Sequence, residues 1–401
     1  MRISEAEFAA RRAAFAAAVE ARGLWGAVLF DPHYVLYYSG FHFIPTERPI
    51  AFVLTSGGRG GMLVPRLELE HAQANTAVEE VVDYDEYPGD RHPMEALRDL
   101  LSALDVSGLL GADHDGYPWV FGYRGPGLGE WTQVADLVED QMAIKSEAEL
   151  ALLRESCRWG NLAHTLLQRY TRPGVTETEV ETRASNEATA AMLDAIGPIY
   201  RGQSPWFQGA SAGYRGQIGR NAAIPHAHGN NIVFQAGDVL VTGASAPVWG
   251  YHSELERTMV IGPPSDEQRR LFDHMVALED LAVETIRPGA RCAEVDVAVR
   301  GYFDRHGLWE HWRHHVGHAI GIRYHEGPFL DRGDPTEIRP GMVFTVEPGL
   351  YAPALGGFRH SDTIAVTDDG VEWLTYYPRD LESLTLPVGK GLEITRSTLT
   401  S

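Results

Sequence analysis

The chain has 401 residues, which allows two hydrophobic cores because single cores rarely grow beyond about 250–300 residues. Its formal net charge of −21 would repel phosphate backbones and anionic lipid, which argues against nucleic acid and membrane as partners. Only two cysteines occur and no apolar run reaches the roughly 18 residues of a membrane span, so we expect a cytoplasmic enzyme or binding protein.

The first third of the sequence alternates strand-like and helical segments. Its clearest helices are predicted over residues 6–22 and in "PMEALRDLLSAL", and apolar runs such as "WGAVLF" and "IAFVLTS" predict strands between them. A long amphipathic helix then begins after Ser146, a predicted N-cap with Glu149 three positions later. We therefore expect an α/β domain over residues 1–141 and a second domain over residues 142–401.

The second domain contains an internal repeat. "TRPGVTETEVE" (171–181) is echoed by "IRPGARCAEVD" (286–296), each at the end of a predicted helix. Proline and glycine end a helix by removing a backbone donor and supplying a left-handed turn. A helix–Pro-Gly–helix turn is common, but its recurrence at one constant offset favours a duplicated helix-helix-strand unit.

The segment "GYHSELERT" (250–258) carries ionisable side chains on alternate positions, His252, Glu254 and Glu256. We expect a strand, in which a period of two places both glutamates on one face. Buried carboxylates are costly unless paired or ligated, so they are candidates for function. The alternative is a solvated face paired with Arg257.

At this point the chain resembles the pita-bread family of creatinase, prolidase and aminopeptidase P. The similar segments, from "HYVLYYSGFH" to the C-terminal third, are the following: "MAIKSEAEL", "GRNAAIPHAH", "AGDVLVTGA", "GYHSELERT", "HHVGHAIG", "GMVFTVEPGLY" and "GGFRHSDTIAVTDDG". The resemblance implies a creatinase-like N-terminal α/β domain followed by a C-terminal pita-bread α+β domain.

Metallopeptidases of this family hold two divalent ions with two Asp, one His and two Glu. The corresponding positions here are Gly243, Glu254, His318, Glu347 and Ser361. Two carboxylates are missing and a third is longer by a methylene. The resemblance therefore implies a degenerate site without a metal cofactor, and it leaves open one weakly held ion (Mn, Zn or Co) on Glu254, His318 and Glu347, or on a shifted set that includes His252.

Creatinase, which works without a metal, offers a second comparison. By its motifs the catalytic histidine is His226, the substrate-contacting glutamates are Glu256 and Glu347, and a carboxylate-binding arginine is Arg48. Since creatinase takes that arginine from the partner subunit, the resemblance implies a homodimer. Ectoine hydrolase is an equally reasonable relative.

The predicted function is metal-independent hydrolysis of a small charged C–N compound, creatine-like or ectoine-like. His226 would activate water, Glu254 would attack or orient the carbon centre, and Glu256 and Glu347 would fix its cationic group, in a cavity that also contains His318. We expect substrate contacts from the following residues: Arg48, His228, His252, Arg323 and His325. The alternatives are an Xaa-Pro dipeptidase or aminopeptidase P-like metallopeptidase with a degenerate site, and a non-catalytic binding protein.

Overall fold

The computed structural model describes residues 2–197 and 209–388. The chain divides into two units, Met1–Met142 and Ala143–Ser401. No helix within the described ranges combines the length and apolar character needed to cross a bilayer.

The first unit alternates helices with the strands of one sheet. Its helices are α1 (Glu5–Ala21), α2 (Pro32–Ser39), α3 (Leu69–Asn75), α4 (Pro93–Ala103) and α5 (Ala135–Ala143). Its strands are β1 (Gly26–Leu29), β2 (Ala51–Thr55), β3 (Gly60–Pro65), β4 (Glu80–Tyr84), β5 (Leu110–Ala112) and β6 (Trp131–Gln133). Side-chain caps fix two of the helix starts, because Ser4 accepts from the Glu7 amide and Asp31 accepts from the His33 amide.

The six strands form one mixed sheet in the order β4-β3-β2-β1-β5-β6. β2 is antiparallel to both neighbours, whereas β1 pairs with β5 in parallel, with Val28 opposite Ala112. One face of the sheet packs against α4 through a buried apolar cluster that includes Val28, Leu63 and Leu100. This cluster supplies the core of the first unit.

In the part of the second unit that the structure describes, four long helices alternate with short strands. The helices are α6 (Glu147–Tyr170), α7 (Glu177–Ile196), α8 (Asp266–Thr285) and α9 (Cys292–His306). The strands are β7 (Ser211–Gly213), β8 (Val239–Val241), β9 (Gly243–Ser245), β10 (Thr258–Ile261), β11 (Gly317–Ala319), β12 (Glu326–Leu330), β13 (Val343–Val346), β14 (Leu350–Ala352), β15 (Gly356–Phe358), β16 (Asp362–Val366), β17 (Val371–Trp373) and β18 (Thr385–Leu386).

The predicted duplication is present as two helix pairs, α6–α7 and α8–α9. Each pair turns at a glycine with positive φ, Gly174 at 87° and Gly289 at 85°, a conformation that a side chain would strain. A capping box begins the first helix of each pair, at Ser146 with Glu149 and at Ser265 with Gln268. The predicted fold class, an α/β domain followed by a duplicated pita-bread domain, is confirmed.

The sheets of the second unit are small and bring loops together. The largest, β12-β11-β13-β16-β17, is antiparallel throughout, and a second joins β18, β10 and β8. The predicted strand over residues 250–258 is wrong as a regular strand: β10 starts only at Thr258, and the preceding residues make isolated bridges such as Glu256 with Ser361. Trp249 and Gly250, with φ of 53° and 81°, form the two-residue turn between the bridged residues Val248 and Tyr251, and Leu255 then pairs back with Ala244 as an isolated bridge.

Candidate metal and substrate site

Three ionisable side chains of the second unit converge on one point. Glu254 lies just before β10, His318 lies within β11, and Glu347 directly follows β13. One ligand atom of each lies within 4.8 Å of the others. Glu254 and His318 are buried and Glu347 is largely so, which makes an uncompensated charge at this point expensive.

His318 is oriented by its own strand. Its Nδ1 donates to the carbonyl of Ala319 at 2.9 Å, which leaves Nε2 facing Glu347 Oε1 at 3.3 Å. Beyond this contact with Glu347, Nε2 makes no hydrogen bond to the described residues. Burial lowers the pKa of His318, but Glu347 and Glu254 outweigh burial and raise it to about 9. An imidazole fixed through Nδ1 with an open Nε2 is the arrangement of a metal-ligating histidine.

Hydrogen bonds fix both the carboxylate and the main chain of Glu254. Ser361 Oγ donates to Glu254 Oε1 at 2.7 Å, and Thr363 Oγ1 bonds its main chain. Burial, and then the charges of Glu347 and Glu256, raise the pKa of Glu254 to about 8. The carboxyl group therefore binds a proton readily when no cation is close.

Glu347 keeps its negative charge. Its burial favours the neutral form, but His318 and Arg359 more than compensate and lower the pKa of Glu347 well below its ordinary value. Its amide donates to the carbonyl of Val316 at 2.7 Å, which ties the loop after β13 to the residue before β11. The site thus has one permanent carboxylate beside His318.

A second carboxylate, Glu256, is bound by two arginines. Arg359 contacts it through two nitrogens, Nε with Oε2 and Nη2 with Oε1, the latter at 2.8 Å. Arg215 Nη2 reaches the same Oε1 at 3.1 Å. Glu256 and Arg359 are both buried, whereas the Arg215 side chain is 51% exposed. Glu256 is consequently neutralised from inside the fold, and the second guanidinium stands at its open side.

Arg359 is held in turn by hydrogen bonds that run through Tyr351 to His314. Its Nη1 donates to the hydroxyl of Tyr351 at 3.0 Å, and that hydroxyl lies 2.7 Å from Nε2 of His314. Because Nδ1 of His314 donates to the His315 carbonyl, Nε2 accepts from Tyr351. Burial lowers the pKa of His314, which keeps this acceptor neutral.

The residues fit one divalent ion and do not fit two. Gly243 has no ligand atom, and a Cβ placed on it would lie 3.6 Å from Glu256 Oε1, so the Glu256 carboxylate occupies the adjacent space. Ser361 contributes a neutral hydroxyl that already donates to Glu254. Glu254, His318 and Glu347 remain, with the open Nε2 of His318 directed at the carboxylates. Three protein ligands and an open position are typical of a catalytic mononuclear centre.

Three further residues predicted for the site, His226, His228 and His325, lie in two loops. His226 and His228 are exposed in the segment that follows a 3-10 helix (Gly219–Ala223). His226 directly follows Pro225, whose carbonyl lies 3.5 Å from Arg359 Nη1. His325 stacks on His318 with ring centroids 3.9 Å apart. Partial burial, and then the positive charge of His318, lower the pKa of His325 to about 4.

His252 and Arg323 occupy the edge near the same loop. His252 is buried, its amide donates to the carbonyl of Gly321, and its ring lies 5.3 Å from that of Tyr324. The amide of Arg323 donates to Glu326 Oε1 at 3.0 Å. Their assignment to substrate binding stays a prediction.

Arg48 belongs to the first unit, where it is engaged by acidic neighbours. Its Nε lies 2.6 Å from Glu86 Oε1 and its Nη1 2.7 Å from Glu47 Oε1. These partners raise the pKa of Arg48, with the Glu86 hydrogen bond as the main cause. Its predicted contact with a substrate carboxylate would have to compete with both, and it stays a prediction.

Sequence reasoning missed the two arginines that hold Glu256. Arg359 stands two positions before Ser361 in "GGFRHSDT", and that spacing of two on an extended segment was a signal that it faces the same site. Arg215 carried no comparable signal, since it lies in a turn two residues after β7.

A further buried ion pair lies beside these residues. Arg257 is fully buried, donates to Asp362 Oδ1 at 2.9 Å, and also donates to the carbonyls of Glu256 and Ser361. Its guanidinium therefore fixes the backbone of two residues whose side chains face the site.

Comparisons with known proteins identify both units. The pattern of metallopeptidase family M24 matches residues 151–368, and that of the creatinase/prolidase N-terminal domain matches residues 11–139. An Xaa-Pro dipeptidase of Pyrococcus horikoshii is 29% identical over 85% of this chain and 91% of its own length. A probable dipeptidase, PepE, of Mycobacterium bovis is 29% identical over 94% of this chain and 97% of its own length.

Solved structures give the same result. Dipeptidase PepE from Mycobacterium ulcerans, 27% identical, superposes with a TM-score of 0.79 over 97% of this chain and all of its own. The Xaa-Pro dipeptidase from Bacillus anthracis, 26% identical, has a TM-score of 0.77 over 94% of this chain and 99% of its own.

These findings correct one prediction and confirm two. Metal-independent hydrolysis of a creatine-like or ectoine-like compound is wrong as the main prediction, because the relatives are Xaa-Pro dipeptidases and the matched family is one of metallopeptidases. The physical reason is that the loss of two ligands leaves three that still converge. Membership of the pita-bread family is confirmed, as is the expectation of a hydrolase acting on C–N bonds.

Proposed function

The chain belongs to metallopeptidase family M24, and from that premise we propose that it is a dipeptidase for Xaa-Pro or similar short peptides, with one divalent ion on Glu254, His318 and Glu347. The observation that carries the proposal is the convergence of these three ligands within 4.8 Å in a chain whose relatives are Xaa-Pro dipeptidases over most of their length.

The three ligands supply two carboxylates and one imidazole, a set that suits Mn, Zn or Co. A divalent ion bound there would polarise a peptide carbonyl and acidify water near it. Ser361 fixes the orientation of Glu254, and the Ala319 carbonyl fixes that of His318. The chain's own contribution to catalysis at this point is a set of ligands held in place before the substrate arrives.

The exposed histidines at the edge of the site are suited to proton transfer. His226 follows Pro225, whose carbonyl approaches Arg359, and His325 stacks on His318. A neutral imidazole can accept a proton from water and return one to the leaving nitrogen of the peptide bond, a contribution of roughly 10²–10⁴ in rate. We assign this role to His226, because the low pKa of His325 makes it a poor proton carrier near neutral pH.

Metal analysis and dipeptide hydrolysis on one preparation test the proposal. The purified chain is stripped with a chelator and reloaded separately with Mn²⁺, Zn²⁺ or Co²⁺, and release of proline from Gly-Pro and Ala-Pro is measured. We expect one ion per chain at saturation, activity that disappears on stripping, and recovery with at least one of the ions. Glu347→Gln should bind the ion more weakly.

Undiminished activity after complete metal removal would contradict the proposal, and so would the absence of dipeptide hydrolysis with every ion. Saturation at two ions per chain would contradict the mononuclear assignment while leaving the peptidase activity in place.

A further inference from the structure

Glu177, in the first turn of α7, has a buried carboxylate that the proposed chemistry does not use. The residue is only 1% exposed. Its Oε1 accepts a hydrogen bond from the amide of Gly216, and its Oε2 accepts from the amides of Asn230 at 3.2 Å and Ile232 at 3.4 Å. A buried carboxylate is costly unless hydrogen-bond donors surround it, and here three backbone amides do so.

These three amides belong to the two legs of one loop. Gly216 precedes the 3-10 helix Gly219–Ala223, whereas Asn230 and Ile232 follow the two exposed histidines. The legs touch directly, because a Cβ added to Gly216, whose φ is 77°, would lie 2.1 Å from the carbonyl oxygen of His228. One carboxylate therefore closes the base of the loop, with one oxygen bound to each leg.

The returning leg has a backbone shape that suits the carboxylate. Asn231 adopts a φ of 53°, in the left-handed region that asparagine tolerates better than most residues. The amides on either side of Asn231 both donate to Oε2 of Glu177, and such a pair of amides commonly binds an anionic atom. The main chain adds a further link, since the amide of Glu177 donates to the carbonyl of Ile232 at 2.8 Å. The returning leg is thus fixed to the start of α7.

The loop that Glu177 closes carries His226. On one side of this histidine, the carbonyl of Pro225 lies 3.5 Å from Arg359 Nη1. On the other side, the amide of Asn230, four positions after His226, is bound by Glu177. His226 therefore lies between two anchors, and Glu177 supplies the second.

We propose that Glu177 is a positioning residue that acts through His226, because it holds the loop so that the imidazole stays at the edge of the site during proton transfer. This inference rests on the proposed dipeptidase function and names the contact on which the position of its proton carrier depends. A misplacement of about 1 Å at a reacting group can cost roughly 100-fold in rate. Loss of this anchor should therefore reduce turnover while the three metal ligands stay in place.

The first test measures kcat and KM for Gly-Pro in the metal-loaded chain and in Glu177→Gln. A glutamine keeps one acceptor oxygen but places an NH2 group where the other leg requires an acceptor, so it cannot hold both legs. We expect kcat to fall about 10- to 100-fold, with KM and metal content nearly unchanged. Glu179→Gln removes the same charge from an exposed position in the same turn of α7, and this matched control should keep the kcat of the natural chain.

A double variant distinguishes positioning from general support of the fold. Because Glu177 is proposed to act through His226, Glu177→Gln should cost little further in a chain that already has His226→Ala. The same fold-loss of kcat in both backgrounds would overturn the proposal, and so would an unchanged kcat in Glu177→Gln alone. Metal content and the thermal midpoint show whether each variant is folded. If Glu177→Gln does not fold, Glu177→Asp, which keeps the charge but not the reach, replaces it under the same criteria.

Hydrogen exchange separates this inference from the proposed function. Exchange of the backbone amides of residues 216–232 is followed by mass spectrometry in the purified chain, without substrate. We expect these amides to exchange about tenfold faster in Glu177→Gln than in the natural chain or in Glu179→Gln, because hydrogen bonds to a charged group are lost. This result supports the role of Glu177 in holding the loop even if no dipeptide is hydrolysed, in which case only the proposed function fails. Equal exchange in the three chains would overturn the inference even if Gly-Pro is hydrolysed.

Discussion

Ser361 donates a hydrogen bond to Glu254, with Oγ 2.7 Å from Oε1, at the place where the related metallopeptidases have a carboxylate by the family resemblance. Ser361 therefore supplies no carboxylate ligand, and its hydroxyl instead orients the candidate ligand Glu254. The same resemblance places a carboxylate at Gly243, where Glu256 now occupies the adjacent space. These replacements together convert a site for two ions into a candidate site for one.

Removing this hydroxyl should weaken metal binding. In Ser361→Ala, Glu254 loses the bond that orients it, and we expect the dissociation constant of the ion to rise about tenfold, the lower end of the effect of an outer hydrogen bond. Titration of the stripped chain with Zn²⁺ or Mn²⁺ measures it. Ser102→Ala, at an exposed position of α4, is the control. An unchanged dissociation constant in Ser361→Ala would show that the orientation of Glu254 does not depend on Ser361.

Restoring two carboxylates should not restore a second ion by itself. We expect the double variant Gly243→Asp, Ser361→Glu to bind one ion, because Glu256 lies where the carboxylate introduced at position 243 would extend. Adding Glu256→Thr removes that conflict and should raise the stoichiometry towards two. Elemental analysis at saturating metal measures both. Two ions in the double variant would show that Glu256 does not block the second position.

The metal-free chain should lose stability as pH rises from about 6 to 9. The pKa of His318 is raised from 6.5 to about 9, so the folded chain retains a proton that the unfolded chain releases. Its stabilising contribution is complete below pH 6.5 and is lost by pH 9. The pKa of Glu254 is raised from 4.5 to about 8, so the stability of the folded chain also falls with rising pH between these two values.

The shift of His318 alone corresponds to a loss of roughly 3 kcal/mol, since each pKa unit corresponds to about 1.4 kcal/mol, and Glu254 adds to this loss. Thermal midpoints of the stripped chain between about pH 6 and pH 9 test the direction. Metal binding requires both groups to be deprotonated, so the apparent affinity for the ion should increase over the same range. A midpoint that rises with pH in the stripped chain would contradict the assignment.

Breaking the buried pair of Arg257 and Asp362 should destabilise the fold. Arg257→Met leaves the Asp362 carboxylate without its fully buried cation, which typically costs about 3–5 kcal/mol. The double variant Arg257→Met, Asp362→Leu should recover part of this loss. Denaturant unfolding of the single and double variants measures both. If the single variant is as stable as the natural chain, the pair contributes little to the fold.

Local patterns predicted most of the fold. The capping box at Ser146 and the two Pro-Gly turns are short-range signals, and each marked a real helix boundary. Residues 250–258 differ from this, because their alternation predicts a regular strand whereas they make only isolated bridges before Thr258. Pairing depends on the opposite segment, which alternation in one segment cannot show.

The motifs grouped three residues that the structure brings together, and their role as metal ligands stays a prediction. Glu254, His318 and Glu347 were identified from motifs and do converge. Counting the missing ligands at Gly243 and Ser361 favoured a metal-free site, because the count treats each position separately and cannot show that the remaining atoms share one point. The role of Arg359 in neutralising Glu256 depends on contacts between residues 103 positions apart.

Lys145 and Glu326 form an ion pair at 2.9 Å in which both side chains are almost completely buried. Glu326 also accepts from the amide of Arg323, and it directly follows His325, whose ring stacks on His318. Lys145 precedes α6 and lies outside the segment that matches the metallopeptidase family, which begins at residue 151. A shortened catalytic unit that starts at residue 151 would therefore leave a buried carboxylate without its cation, so any attempt to express that unit alone should begin before Lys145.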